Sequence, residues 1–355
     1  LGGFWALTRY DDVAAAASDP RTFTTAVQNV VPKVAFTGRR PPLHLDPPDH
    51  TPFRKALNPL LSLERSEALA PRTRTISREL LAPMLAAGGG DICAEFSSYL
   101  PVYVFGDWMR VPEEWLDTLH DSGRAFILAV HSTRPEAMKE TSLALYDMAR
   151  ALIADRKANP QDPDIDPTSA LLAARHNGEP LDDELIVGTV RQVLVVGMVA
   201  PMVMVGNIAV HLSRDRELQS LLRAEPERIP AAIEEFLRLY SPYRGFARTP
   251  TRDVEIRGCP IARDEPVALL YASANRDEDI FPEGDRFVLD RPNISDHLAF
   301  GRGPHNCPGL HIGRMELRVA LEELLAATTG FSVCGDIVPT RWPEIGALAV
   351  PLRFE

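Results

Sequence analysis

One stretch of the sequence combines residue type and spacing in a way that calls for chemistry: Phe300-Gly301-Arg302-Gly303-Pro304-His305-Asn306-Cys307-Pro308-Gly309. Two glycines within three residues permit a tight loop with unusual dihedrals. Cys307 then stands where a helix is expected to begin. Backbone N–H groups and the positive end of the helix dipole favour its thiolate there. A thiolate that is stabilised, yet kept from protons and oxidants, suits an iron ligand. A single cysteine is ordinarily a small buried core residue. Here Phe300, Gly301, Gly303, His305, Cys307 and Gly309 stand in a pattern that average residue usage produces about once in 10⁸ windows.

Three further charged constellations stand out. Glu235 and Arg238 lie one turn apart on a helix whose apolar face is Ile233, Phe236, Leu237 and Tyr240. An i,i+3 pair of this kind is ordinarily a solvated ion pair worth little. His50 and Arg54 share one face of a helix expected to start at Pro52, since proline suits the first helical position. Arg248 follows a few residues past the Glu235 helix.

Together these stretches resemble the cytochrome P450 family, whose haem-binding signature is the cysteine loop, and the resemblance covers nearly the whole chain. It implies a haem b (iron protoporphyrin IX) whose iron is ligated axially by Cys307, the metal-binding residue, with Phe300 also in the cofactor loop. His50, Arg54, Arg248 and His305 match the family's partners for the two haem propionates, which need cationic or hydrogen-bonding groups. Glu235 and Arg238 match its structural ExxR pair, joined by the segment from Asn275-Arg276-Asp277 to Arg291; Arg286 and Arg291 are both candidates to complete that network. The implied fold is mainly α with a minor β region, the haem buried between the central helix and the cysteine-loop helix. Residues 1–355 are expected to form a single haem-thiolate domain. Gly2-Gly3-Phe4-Trp5 to Phe23 resembles a segment that normally follows a longer N-terminal stretch, so the N-terminus is expected to be truncated.

The chain departs from the family in its central helix. An acid followed by threonine ordinarily stands there, holding a water chain that delivers protons. Aligned through Gly197, those positions are Val199 and Ala200, followed by Pro201, and neither side chain relays a proton. Pro201 lacks an N–H and crowds the carbonyl of Gly197, so a kink is expected, with that carbonyl open to an ordered water. Gly197, Val199, Ala200 and Pro201 are therefore the candidate catalytic segment, read either as a plain kinked core helix or as a proton path of backbone carbonyl and water. A second departure is Pro308, which removes one N–H that would otherwise reach the sulfur and leaves more electron density on the thiolate.

The elements that must position these residues follow from periodicity. A short strand is expected over Phe4 to Thr8 and a helix over Asp11 to Ser18. Helical spacing runs from Ser66 to Ala158, broken at Gly88-Gly89-Gly90 and Pro112, and a loop is expected over Asn159 to Thr168. Helices are expected again over Asp182 to Leu222, Pro230 to Tyr240 and about Pro308 to Ala327. Val254 to Arg257 and Pro266 to Tyr271 read as small hairpins. No strand–helix alternation and no GxGxxG supports a dinucleotide fold.

Composition narrows the setting. The net charge of −11 argues against nucleic-acid binding. The four cysteines are widely spaced with no CxxC, which argues against a disulfide framework and fits a reducing cytoplasm. The apolar run Val193 to Gly206 is too short to span a bilayer, so no membrane association is expected. The expected partners are a small-molecule substrate and a redox partner, either ferredoxin with its reductase or a fused reductase. The leading function is a monooxygenase. A peroxide-driven peroxygenase is the alternative, weakened because its family members usually place an arginine where Ala200 stands. A non-catalytic haem-binding partner module is the reading from a different class. By resemblance the pocket is lined by Ala125 to His131, Val199, Ala200, Tyr243 to Ala247 and Glu344 to Gly346, mainly apolar residues that point to an apolar small molecule.

Overall fold

A computed structural model describes residues 3–31, 37–132 and 134–355. Leu1 and Gly2, at the expected truncation, lie outside the described residues. Helices dominate and the strands are short. Through the middle runs the 32-residue helix Asp183–Arg214. Asp182 caps it by accepting from the Leu185 N–H at 3.0 Å, and Asp183 and Glu184 sit at the positive end of its dipole. It is apolar nearly all round, which makes it a core element. By length and composition it could cross a membrane, yet 72% of its apolar window is buried inside the protein. The fourteen-residue run seen in the sequence is thus part of a longer core helix.

Helices Leu100–Met109, Leu116–Ser132 and Pro135–Ala158 pack around this central helix, as do Ile229–Tyr240 and Leu310–Ala327. The helix that follows His50 spans Thr51–Leu57, with Pro52 in its first turn as expected.

The sheets depart further from the expected pattern. Val254–Ile256 does form a hairpin with Cys259–Ile261, turning through Arg257 and Gly258, both at positive φ. Pro266 to Tyr271 does not form one. Val267–Leu269 is instead an inner strand of a four-stranded sheet, parallel to Trp5–Leu7 and antiparallel to Phe246–Arg248. Its residues are fully buried, which is why they read as an apolar run without a local partner. The expected break at Gly88 to Gly90 contains another strand, Gly89–Asp91, paired with Pro351–Arg353. Gly89 has φ +149°, and a Cβ there would meet the Leu352 carbonyl oxygen at 2.2 Å, so only glycine fits.

The Glu235–Arg238 pair is no surface ion pair. Glu235 and Arg238 are 1% and 0% exposed. Arg238 grips the carboxylate through Nε and Nη2, each at 2.7 Å, and donates to the carbonyls of Asn275 (2.7 Å), Gly284 (2.6 Å) and Arg286 (2.9 Å). Of the two candidates, Arg291 supplies the second guanidinium, its Nε 3.2 Å from Glu235 Oε1. Arg286 contributes a backbone carbonyl to Arg238 and turns its side chain to exposed Glu283. This knot ties the helix Ile229–Tyr240 to the segment that leads into the cysteine loop.

Candidate functional site

The cysteine loop closes on itself through its backbone. Cys307 N–H donates to the Phe300 carbonyl at 2.8 Å, and Asn306 N–H to that of Gly303 at 3.0 Å. Gly301 and Gly303 take φ of +68° and +71°, and a Cβ on Gly303 would lie 2.7 Å from the Ala17 carbonyl oxygen. The helix that follows begins at Leu310, so Cys307 stands three residues before it and not at its first turn. The thiol is held up by burial, opposed first by a hydrogen bond from the Gly309 N–H and then by the charges of Arg54 and Arg314. Pro308, between them, has no N–H to give. Pro308→Ala restores that donor, and a bond worth about 0.5–1.5 kcal/mol more to the charge-rich ferrous state moves the iron potential positive by roughly 20–65 mV. Spectroelectrochemistry of the two proteins measures it; an unchanged potential removes Pro308 from the tuning of the thiolate.

His50, Arg54, Arg248 and His305 are gathered beside this loop. The His50 and His305 rings are 5.1 Å apart between centroids. His50 Nε2 lies 3.2 Å from the Pro304 carbonyl oxygen, and Arg54 Nη1 donates to that of Asn306 at 2.6 Å. Arg248 is 3% exposed and donates to the Ala247 carbonyl at 2.9 Å. His305 Nε2 is 3.1 Å from Asp46 Oδ1. Burial pushes the Asp46 carboxyl up, but hydrogen bonds from His305, Thr24 and Thr25 hold it below the ordinary range. Burial depresses His305, the Asp46 contact opposes this, and Arg248 and Arg54 depress it again. His50 is likewise lowered, first by burial. Among the described residues neither Arg54 nor Arg248 has a carboxylate partner. Two largely buried guanidinium groups bonded only to carbonyls beside a cysteine thiol call for an anionic ligand. A metal-bound macrocycle carrying two carboxylates meets both requirements, so the residues present fit haem.

The central helix continues through Pro201 without interruption. Its candidate residues point in different directions. Val193, Val196 and Ala200 recur at helical spacing and are its less buried middle positions, Val196 reaching 40% exposure. Val199 belongs to a separate buried cluster with Ile127, Leu145, Val195, Met202 and Val203, bordered by Phe126, Tyr243 and Leu348. Gly197 is pressed against Phe105, whose ring lies 2.3 Å from where a Cβ would be. Pro201 is buried.

Sequence reasoning placed His131 and Glu344 in the pocket lining but did not foresee them as a polar pair among apolar walls. Glu344, 6% exposed, pairs by backbone with Tyr243, and its Oε2 lies 3.7 Å from His131 Nε2. Neither atom has a hydrogen-bond partner. Burial, partly opposed by Arg244, pushes the Glu344 carboxyl up to about 7. The folded chain therefore keeps a proton that the unfolded chain releases between the ordinary carboxylate range and about pH 7. Stability falls as pH rises through that window. Glu344→Gln should remove this slope, worth at most about 3 kcal/mol, when unfolding midpoints are followed from pH 5 to 8. Parallel curves for the two proteins would mean that Glu344 titrates normally.

Residues 125–329 match the cytochrome P450 family. The chain is also 34% identical to the mycinamicin IV hydroxylase/epoxidase of Micromonospora griseorubida, over 99% of its own length and 88% of that protein. The chain belongs to the cytochrome P450 family. A second relative of this P450 is linalool 8-monooxygenase of Pseudomonas putida, 30% identical over 94% of this chain and 84% of that one. Among solved structures, ligand-free cytochrome P450 TbtJ1 superimposes with a TM-score of 0.87 at 31% identity, covering 99% of this chain and 91% of that one. The P450 fold is thus shared throughout, with its haem-thiolate cofactor and the cysteine of its signature loop, Cys307. Relatives named as hydroxylases, epoxidases and monooxygenases make this chain a P450 oxidoreductase.

Proposed function

We propose that this P450 inserts one oxygen atom of dioxygen into a small, mainly apolar organic substrate, by hydroxylation or O-dealkylation, with electrons from an external or fused reductase. The observation that carries the reading is the pairing of a thiolate loop with an apolar cluster of Phe126, Ile127, Val199, Tyr243 and Leu348. The bound haem supplies dioxygen activation. Cys307 holds the iron, with its thiolate favoured by the Gly309 N–H and Arg54. Arg54 and Arg248 hold the propionates, His50 stands beside them, and Asp46 orients His305. Val193, Val196 and Ala200, the less buried face of the central helix, carry no group that could give a proton. A water held against the Gly197 carbonyl, which Pro201 leaves without its helical donor, is the proton route open to this helix. Electrons enter over the face where the cysteine loop reaches a surface depression lined by His297, Arg302, Asn306 and Arg314.

The second reading, a peroxygenase, draws support from Pro201 and the lack of an acid–alcohol pair; Ala200 in place of an arginine speaks against it. Two measurements test the proposal. The dithionite-reduced carbon monoxide complex should absorb far to the red of histidine-ligated haem, and a band at the shorter wavelength removes its basis. Product formed with dioxygen and a ferredoxin system should exceed that formed with hydrogen peroxide; the reverse order makes the peroxygenase reading the right one.

A further inference from the structure

Away from the propionate partners, a second group of cations is largely buried with no carboxylate paired to it among the described residues. Arg191, on the central helix, is 1% exposed. Its guanidinium stacks 4.7 Å above the Phe126 ring and donates through Nη2 to Ser142 Oγ at 3.0 Å, while Nε has no partner. The loop that carries Arg40 crosses the same helix, where a Cβ on Gly188 would meet the Arg39 carbonyl oxygen at 1.9 Å. Arg40 Nη2 lies 3.5 Å from His44 Nε2, and Arg40 Nε is also buried and unpartnered. Tyr146 lies between the two arginines, with the Arg191 guanidinium 5.7 Å from its ring and its own hydroxyl unpartnered.

No carboxylate is paired with Arg40, Arg191 or His44 among the described residues. Residues 1–2, 32–36 and 133 contain no Asp or Glu. Burial depresses all three groups; the neighbouring arginines lower His44 further, down to about 3, and Arg40 lowers Arg191. Two guanidinium groups on separate elements, held away from water and facing each other's charge, make an arrangement that an anion relieves.

We infer that Arg40, Arg191 and Tyr146 form a binding site for an anionic group, a carboxylate or a phosphate, carried by the substrate. The unused Nε–H donors and the phenol hydroxyl are the groups that would hold its oxygens, and guanidinium geometry suits both anions. Phe126 joins this site to the apolar cluster that holds Val199. At 1.5 Å rise per residue, Arg191 lies about 13 Å along the central helix from Ala200. The substrate is thus an amphiphile, anchored by its charged end and oxidised at an apolar part roughly that far away. Assigning the anion to a substrate rests on the monooxygenase reading; the site itself does not.

The test uses haem-loaded wild type, Arg40→Gln and Arg191→Met. Thermal unfolding is followed with acetate or inorganic phosphate against sodium chloride of equal ionic strength. The wild type should gain on the order of 2–5 °C at saturating anion, and both variants should lose most of that gain. Whichever anion gives the larger gain names the source, carboxylate or phosphate. Calorimetric titration with decanoate, decyl phosphate and 1-decanol then reads the amphiphile. At least one anionic chain should bind the wild type about tenfold or more tighter than the alcohol, a preference that collapses in the variants. Equal anion gains in all three proteins, with decanol bound as tightly as either anion, overturn the site. Arg40→Gln keeps the test decisive should Arg191→Met fail to fold, because Arg40 lies in a half-buried loop. Turnover of an uncharged substrate, measured alongside, reports on the monooxygenase reading separately.

Discussion

Arg238→Ala is expected to cost about 3–5 kcal/mol, a large part of the stability of an ordinary domain. The substitution removes five hydrogen bonds and leaves Glu235, 1% exposed, with the Arg291 Nε and the Val288 N–H as its remaining partners. The carbonyls of Asn275 and Gly284 lose their donor at the same time, and that of Arg286 keeps only Arg291 Nη2, at 3.3 Å. Arg238→Lys should rescue little, because an ammonium cannot reproduce the fork that grips both carboxylate oxygens. Arg318→Ala is the control: its contacts to Glu67 and Glu322 involve partly exposed groups, and its effect should stay within about 1 kcal/mol. Urea midpoints of the three variants measure the order. Equal losses in Arg238→Ala and Arg318→Ala would mean that the knot beneath the site contributes no more than a surface pair.

Arg248→Leu is expected to separate folding from cofactor retention. The guanidinium is buried with no carboxylate partner among the described residues, so the protein without haem should be no less stable after the change, and burying leucine there should raise its stability. Haem should be held more weakly by about 2–5 kcal/mol, the loss typical of removing one partner of a buried charge pair. Arg54→Leu should behave alike, with an added rise in the Cys307 thiol, since Arg54 is one of the charges that lower it. Haem transfer to an excess of a scavenger protein, timed for each variant, gives the retention. Unchanged rates in both variants would mean that neither arginine meets a propionate.

What the sequence made legible was whatever depends on short spacing. The cysteine loop, the Glu235–Arg238 step and the His50–Arg54 step are each fixed within one turn of chain, and the resemblance to the P450 family rested on them. The cysteine-loop helix was readable within a few residues for the same reason. The pattern read as one helix from Asp182 to Leu222 is instead two, Asp183–Arg214 and Arg216–Ala224, broken at Asp215, whose side chain caps the second. The choice between Arg286 and Arg291 was not, because it depends on which side chain turns inward after a loop. Val267–Leu269 was mistaken for half of a local hairpin because one partner, Trp5–Leu7, lies about 260 residues earlier and the other, Phe246–Arg248, about 20, with a separate hairpin between. The Gly197-to-Pro201 segment was located, but the direction each residue faces follows from packing against Phe105 and the cluster around Val199. Arg40 and Arg191 gave no signal at all. They are about 150 residues apart, and each alone looks like an ordinary surface arginine.

Strand pairing also sets the order in which the molecule can be assembled. Trp5–Leu7 lies against Val267–Leu269, and Gly89–Asp91 against Pro351–Arg353, each partner about 260 residues later. On a ribosome adding roughly 5–20 residues per second, the earlier strand of each pair waits on the order of tens of seconds for its mate. Both sheets therefore close late, after the intervening helices have emerged. Until then the nascent chain carries two unpaired strand edges, the places at which a chaperone would be needed and at which a stalled chain would aggregate.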